Sequence, residues 1–379
     1  MHAVPEDGSS DNRFWAGQSR QCSDTQFDGR RRFAILTSDG IEVCDLSRIN
    51  SYQAATDFIA GKINIEGDLY AAIRFFSQRG SSGFQRSLLG AALNLRRLAH
   101  RLPIGARRTT ARNIQFHYDR SNEFYSLFLD RRLQYSAAHF SHPEQSLDEA
   151  QTKKLGRICD ALELHQGERF LDVGCGWGGL VTYAAQTCKV DATGCTLSIE
   201  QRRFAADAAK AAGISDRVAV HLKDYRDLSG TFDKIASIGM FEHVGPMRLA
   251  RYLKKIHSLL ATGGRFLNRG IVRPASVGDG VETYFLEKYV FPGGELVHLD
   301  DVVREGERAG FEVLSVENVR RHYGLTCRAW VKNLQEQADI CKRLVGEFTY
   351  RIWLLYLAAS AVNFEDAGTS AMQVLFAKL

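Results

Sequence analysis

Between Leu155 and Ile271, short apolar runs alternate with stretches whose apolar residues recur at helical spacing. Phe170-Leu-Asp-Val173 reads as a buried strand, and Gly179 to Thr187 as the helix that follows it. Val190 to Cys195 and Ile199 to Ala212 repeat the strand–helix pair. Val218 to Leu222 and Phe232 to Ile238 read as two more strands, Met247 to Leu260 as a helix and Gly264 to Ile271 as a fifth strand. This alternation predicts an α/β fold with a doubly wound, mostly parallel sheet. From Asp300 the pattern predicts a helix, two strands, long helices and a last apolar strand, Gln373-Val-Leu-Phe376.

Upstream the texture changes. Phe33-Ala-Ile-Leu36 and Ile41-Glu-Val-Cys44 flank Ser38-Asp39-Gly40, which predicts a hairpin. Asp57 to Ala60 and Tyr70 to Phe76 read as short helices on either side of Lys62-Ile-Asn-Ile-Glu66. Residues 31–80 are therefore expected to form a small α+β domain. Residues 1–30, rich in Ser, Asp, Gly, Gln and Arg, predict a disordered tail. Residues 81–112 predict a basic helical bridge carrying Arg86, Arg96, Arg97, Arg101, Arg107, Arg108 and Arg112. Its charges suit a solvated face or contact with anionic lipid headgroups. Residues 113–379 form the large domain.

Composition narrows the class. The 379 residues are 45% hydrophobic and 25% charged, which excludes a wholly disordered, collagenous or coiled-coil chain. A net charge of +5 permits an anionic surface without calling for nucleic acid. The eight cysteines form no C-x-x-C pair, so neither a zinc site nor a disulfide framework is expected, and reduced thiols suit a cytoplasmic protein. The longest apolar run, Ile352 to Val362, is about half of a membrane span. The expected location is cytoplasmic, with peripheral contact at the inner face of the membrane.

The chemistry centres on Phe170-Leu-Asp-Val-Gly-Cys-Gly-Trp-Gly-Gly179, a strand running into a glycine turn that opens a helix. Gly174, Gly176 and Gly178 let backbone approach a ligand, and Asp172 lies at the strand end where open α/β sheets bind ligands. Similar glycine turns serve nicotinamide and flavin. The acid before the glycines favours S-adenosylmethionine, because a carboxylate can face its ammonium group but would repel a pyrophosphate. Thr196, Leu197 and Gln201 close the second strand, where Ser198 also reads as a helix N-cap with Gln201 three residues on. Asp224 and Tyr225 follow the third strand, placed to meet the adenine edge.

Further motifs lie in order along the chain: Asn113-Ile-Gln-Phe-His-Tyr-Asp119, Asn122-Glu-Phe-Tyr125, Tyr135-Ser136, Met240-Phe-Glu-His-Val-Gly245, Lys288-Tyr-Val-Phe-Pro-Gly-Gly-Glu-Leu296, and His322-Tyr323 with Thr326 and Trp330. Together with the glycine loop they resemble the cyclopropane-fatty-acyl-phospholipid synthase family, which includes the mycolic acid cyclopropane synthases. The resemblance implies a seven-stranded methyltransferase-type (Rossmann-like) sheet with a helical lid. It implies methylene transfer from S-adenosylmethionine to a cis double bond of a phospholipid or other acyl lipid at a membrane surface, with Tyr135 and Ser136 closing over the cofactor. No metal is implied, and a homodimer is compatible with it. The family's base is a bicarbonate, or a group beside one, held by Cys, Glu, His and Tyr. Glu242 and Tyr323 match two of these. Ala137 stands where the family has Cys, Ser360 where it has a further Cys, and Arg269 where it has His, unless a one-residue shift brings Asn268 there. Arg269 is expected either to hold an anion or to pair with Glu242. A methylation without ring closure, a small-molecule methyltransferase and a non-catalytic lipid-binding homologue stay open. His117 suits a structural role as well as a catalytic one. Trp330, Trp353 and Tyr356 are expected in the core, and Phe285, Tyr289 and Phe291 suit an acyl channel.

Overall fold

The computed structural model describes residues 26–27, 30–46, 49–78, 121–278, 281–292 and 294–379. Most of the expected tail, the expected bridge and the Asn113–Asp119 motif with His117 lie outside the described residues.

Strand β1 (Gln26–Phe27) pairs with β2 (Arg30–Arg31). Then come β3 (Phe33–Thr37), α1 (Ser51–Ile59), β4 (Ile63–Gly67) and α2 (Leu69–Gln78). The expected hairpin is only partly formed. The turn at Gly40 exists, yet a single bridge, Leu36 to Glu42, joins its arms. The full ladder of β3 runs antiparallel to β4, because that pairing lets α1 and α2 cover one apolar face. Cys44 is disulfide-bonded, against the expectation of reduced thiols throughout; the other six described cysteines are free. Spacing alone does not reveal a lone disulfide.

The large unit begins with α3 (Asn122–Ser126) and α4 (Leu147–Leu162), the latter opened by a capping box at Ser146 and Glu149. The alternating region follows as β5 (Arg169–Val173), α5 (Gly179–Cys188), β6 (Asp191–Thr196), α6 (Ile199–Ala211), β7 (Val218–Leu222), β8 (Phe232–Ile238), α7 (Pro246–Leu259) and β9 (Leu260–Val272). After α8 (Val281–Tyr289) and α9 (Leu299–Arg308) comes one strand, β10 (Glu312–Asn318), rather than the expected two. Helices α10 (Arg320–Glu336), α11 (Ala338–Val345) and α12 (Glu347–Glu365) precede β11 (Ser370–Ala377).

The seven strands lie in the order β10-β11-β9-β8-β5-β6-β7. Strands β7, β6, β5, β8 and β9 are mutually parallel, and β11 and β10 add antiparallel at one edge. From β5 the chain winds outward through β6 and β7, then returns to β8 on the other side of β5. That reversal is the topological switch point, where a crevice opens at the strand ends. Helices α3, α8, α10, α11 and α12 share one apolar core with the small N-terminal unit and with Trp177 of the glycine loop. Among the described residues, no helix is long and apolar enough to cross a membrane.

Candidate functional site

The glycine loop leaves β5 at the switch point. Gly174 has φ +80°, and a Cβ there would sit 2.9 Å from Met240 Cγ, so a side chain would meet both backbone strain and a wall of the cavity. Trp177 in the same loop donates from Nε1 to Asn122 Oδ1 at 2.7 Å, tying the loop to α3.

The cavity at this loop is lined by Tyr135, Ser136, Asp172, Gly174, Gly176, Thr196, Leu197, Gln201, Asp224 and Tyr225. Gly178 is not on its wall. A Cβ at Gly178 would stand 2.6 Å from Ala205 Cβ, so this glycine serves the packing of α5 against α6. Thr196 donates to Gln201 Oε1 at 2.7 Å, and Ser198 caps α6 by accepting from Gln201 N at 3.3 Å. Gln201 therefore keeps its amide donors for a ligand. Asp224 is gripped by Arg226, whose Nε donates to Oδ1 at 2.8 Å while a terminal nitrogen meets Oδ2.

Asp172 is buried, its Oδ1 has no hydrogen-bond partner, and burial pushes its pKa up to about 7, with Lys154 opposing the rise. Lys154 is fully buried on α4 and donates to Gln134 Oε1 at 2.5 Å and Ser136 Oγ at 3.2 Å. Burial, with Arg269 nearby, brings its pKa down to about 7. Lys154, Gln134, Arg226 and Arg248 were not singled out from sequence. A lysine in Lys153-Lys154 on an amphipathic helix carries no mark that distinguishes it from a solvated one.

A second cavity adjoins the first, and Tyr135, Gly239 and His243 line both. Ile271, Leu286, Phe291, Trp330, Tyr356 and Phe364 give it apolar and aromatic walls, while Glu242, Arg273, Glu287 and Glu295 place charged groups on the same lining. Trp330 and Tyr356 are thus core residues and cavity wall at once, while Trp353 packs in the core against Phe124 and Tyr125. Of the aromatic set expected to line an acyl channel, Phe291 lines this cavity. Tyr135 donates its hydroxyl to Tyr356 at 3.0 Å across the junction. His243 is half-buried, and the loss of water around it brings its pKa down to about 4 and keeps it neutral.

Glu242 and Tyr323 both line this second cavity. Glu242 sits on a 3₁₀ turn, Phe241–His243, just after β8. Its Oε1 accepts from Ile271 N at 2.7 Å, its Oε2 is buried without a partner, and burial pushes its pKa up to about 7. Tyr323 stacks on Phe364 at 4.4 Å, and burial, with Glu242 nearby, raises its pKa well above the ordinary value.

Arg269 lies elsewhere and lines neither cavity. It is buried and donates to Ala137 O at 2.9 Å and Ala138 O at 3.4 Å. The expected pair with Glu242 is not formed. Side chains alternate faces along β9, and a Cβ at Gly270 would stand 2.7 and 2.8 Å from the two Glu242 oxygens. Glu242 therefore occupies the Gly270 face, which leaves Arg269 on the opposite one. Asn268, on the same face as Gly270, accepts from Tyr252 at 3.1 Å. Gly270→Ala should push both the Phe241 ring, the nearest neighbour of that Cβ, and the Glu242 carboxylate aside. We expect turnover to fall about 10²-fold, the order associated with a 1 Å misplacement, with cofactor affinity unchanged; steady-state kinetics and calorimetry check it.

A family model described as mycolic acid cyclopropane synthetase matches residues 106–374. The chain belongs to this family. It is 40% identical over 352 residues to a "probable fatty acid methyltransferase" of Pseudomonas putida, covering 91% of this chain and 86% of that protein. A second so named, from Mycobacterium tuberculosis, is 41% identical over 285 residues, covering 75% of this chain and 66% of that one. Among solved structures, the family fold recurs in the cyclopropane synthase MmaA2 from Mycobacterium tuberculosis, with TM-score 0.69, 28% identity and coverage of 71% and 98%. It recurs too in the mycolic acid cyclopropane synthase CmaA1 complexed with S-adenosylhomocysteine and CTAB, with TM-score 0.68, 29% identity and coverage of 71% and 98%. The sheet and helices are those of the S-adenosylmethionine-dependent methyltransferases of this family.

Proposed function

We propose that the protein transfers a one-carbon unit from S-adenosylmethionine to a cis double bond of an unsaturated acyl chain in a lipid. The observation that carries this reading is the meeting of two unlike cavities at Tyr135, Gly239 and His243. The residues of the first fit the cofactor. The buried Asp172 carboxylate, whose Oδ1 has no hydrogen-bond partner, answers an ammonium group, and the Gln201 amide and the Arg226-held Asp224 offer polar contacts farther along. When bound, S-adenosylmethionine supplies an electrophilic methyl group.

The second cavity suits a hydrocarbon acceptor. Its apolar and aromatic walls keep water from a weakly nucleophilic alkene and from the cation that follows attack. Glu242 is poised to remove the proton lost from the methylated chain, since a base works best with a pKa near the operating pH. Tyr323 lines the same cavity, its ring stacked on Phe364.

The relatives at 40% and 41% identity, named for fatty acid methylation, support an acyl substrate and favour a methylene-branched or methyl-branched alkene product, either formed by loss of one proton. Ring closure is the second reading, favoured by the retained pair Glu242 and Tyr323. Mass spectrometry and proton NMR of fatty acids from cells with and without the protein test both. A chain gaining one CH2 unit is expected, with cyclopropyl protons marking ring closure and vinylidene protons a methylene branch. No change in any acyl chain would overturn the proposal.

A further inference from the structure

A third cavity lies where the small N-terminal unit meets α12. Its walls come from α1 (Ala54, Ala55, Phe58), from β4 and α2, and from Phe285, Leu355 and Ala359 on the large unit. No charged side chain lines it. Leu286, Tyr356, Ser360 and Asn363 line both this cavity and the second one, so the two adjoin. The seam is fastened by polar contacts at its edges. Arg351 on α12 donates to Phe58 O and Ile63 O, each at 3.1 Å, and to Asn64 Oδ1 at 2.7 Å. At the other end Arg74 on α2 pairs with Glu365 and Asp366.

We propose that this third cavity seats the far end of the acyl chain, the segment beyond the reacting double bond, so that the small N-terminal unit sets which chain lengths are accepted. The inference rests on the reading of the second cavity as the acyl site. An alkene held beside Glu242 leaves its tail in that apolar cavity, and the apolar continuation runs under α1 and α2. A saturated tail has no group to hydrogen-bond, so walls without charge, fixed in place by ion pairs outside the cavity, are the lining it requires. The small unit buries its apolar face in one core with α12, so its position relative to the reacting cavity is set by packing.

The test narrows the cavity from opposite walls with Ala55→Phe and Ala359→Phe, each in the full chain. Substrates are oleoyl and myristoleoyl phospholipid vesicles, which share a cis double bond at one position and differ in the length beyond it. In each variant kcat/KM for the oleoyl lipid should fall about tenfold further than for the myristoleoyl lipid, the scale expected for a few methylenes denied burial. An equal fall for both lipids, or none, overturns the tail seat. Calorimetry with stearate and myristate, which cannot react, gives an independent readout: wild type should prefer stearate and the variants should lose that preference. If wild type turns over neither vesicle yet the variants lose the stearate preference, the one-carbon-transfer reading falls and the seat stands. A retained preference overturns the seat. Unchanged S-adenosylhomocysteine affinity certifies each fold, and either wall alone suffices should one variant fail to fold.

Discussion

Replacing Glu242 with Gln is expected to lower turnover by about 10² to 10⁴, the usual contribution of a positioned general base, while S-adenosylhomocysteine affinity stays nearly intact. The amide keeps the shape of the side chain and can still accept from Ile271 N, so the fold of the turn is preserved. What is lost is the buried, partnerless oxygen that can take a proton. Because burial places the Glu242 pKa at about 7, the basic form grows in as pH rises through that value. Wild-type kcat should therefore climb with pH around neutrality and then level, and the variant's residual rate should lack that limb. Bicarbonate should add nothing to the wild-type rate. Ala137 offers no polar side-chain atom, and the Arg269 contacts are made to the carbonyls of residues 137 and 138. Strong stimulation by bicarbonate in carbonate-depleted buffer would sink this assignment of the base, as would a Gln variant with wild-type turnover.

The alternating region was legible because parallel strands buried on both faces must be apolar throughout and are punctuated by their helices. Phe232–Ile238, buried through its middle, falls where the pattern puts it, and Val218–Leu222 does so as the half-exposed edge strand. The glycine loop was legible because close backbone approach leaves few residue choices. Other features depend on contacts between distant segments. The partner of β3 is 30 residues downstream in β4 (Phe33 with Gly67 to Thr37 with Ile63), although a good turn sequence stands much nearer. Whether Arg269 meets Glu242 depends on which face of β9 the turn after β8 packs against, and that is set by the missing side chain of Gly270. Lys154 reads as surface until Gln134 and Ser136 are seen folded onto it. The tyrosines at 135 and 356, 221 residues apart, show their junction only in three dimensions.

Asp172→Asn should weaken S-adenosylhomocysteine binding by about 10²-fold or more, since truncating one partner of a buried charge pair costs roughly 2–5 kcal/mol. The pH dependence separates this from a general loosening of the cavity. In the free protein burial lifts the Asp172 pKa to about 7, so the carboxylate is largely ionised above that pH and largely protonated below it. An ammonium ligand prefers the ionised form, so wild-type affinity should fall as pH drops through neutrality, and binding near pH 7 should release protons. Lys154, brought down to about 7, gains charge over the same range and holds Asp172 ionised a little longer, which flattens the limb without reversing it. On the same wall, burial brings His243 down to about 4 and pushes Cys195 up to about 12, so neither adds a limb near neutrality. The Asn variant should lose most of the limb. Calorimetry across pH, in two buffers of different ionisation enthalpy, reads both the affinity and the proton count. An Asn variant that keeps wild-type affinity and its pH profile would remove Asp172 from the ammonium site.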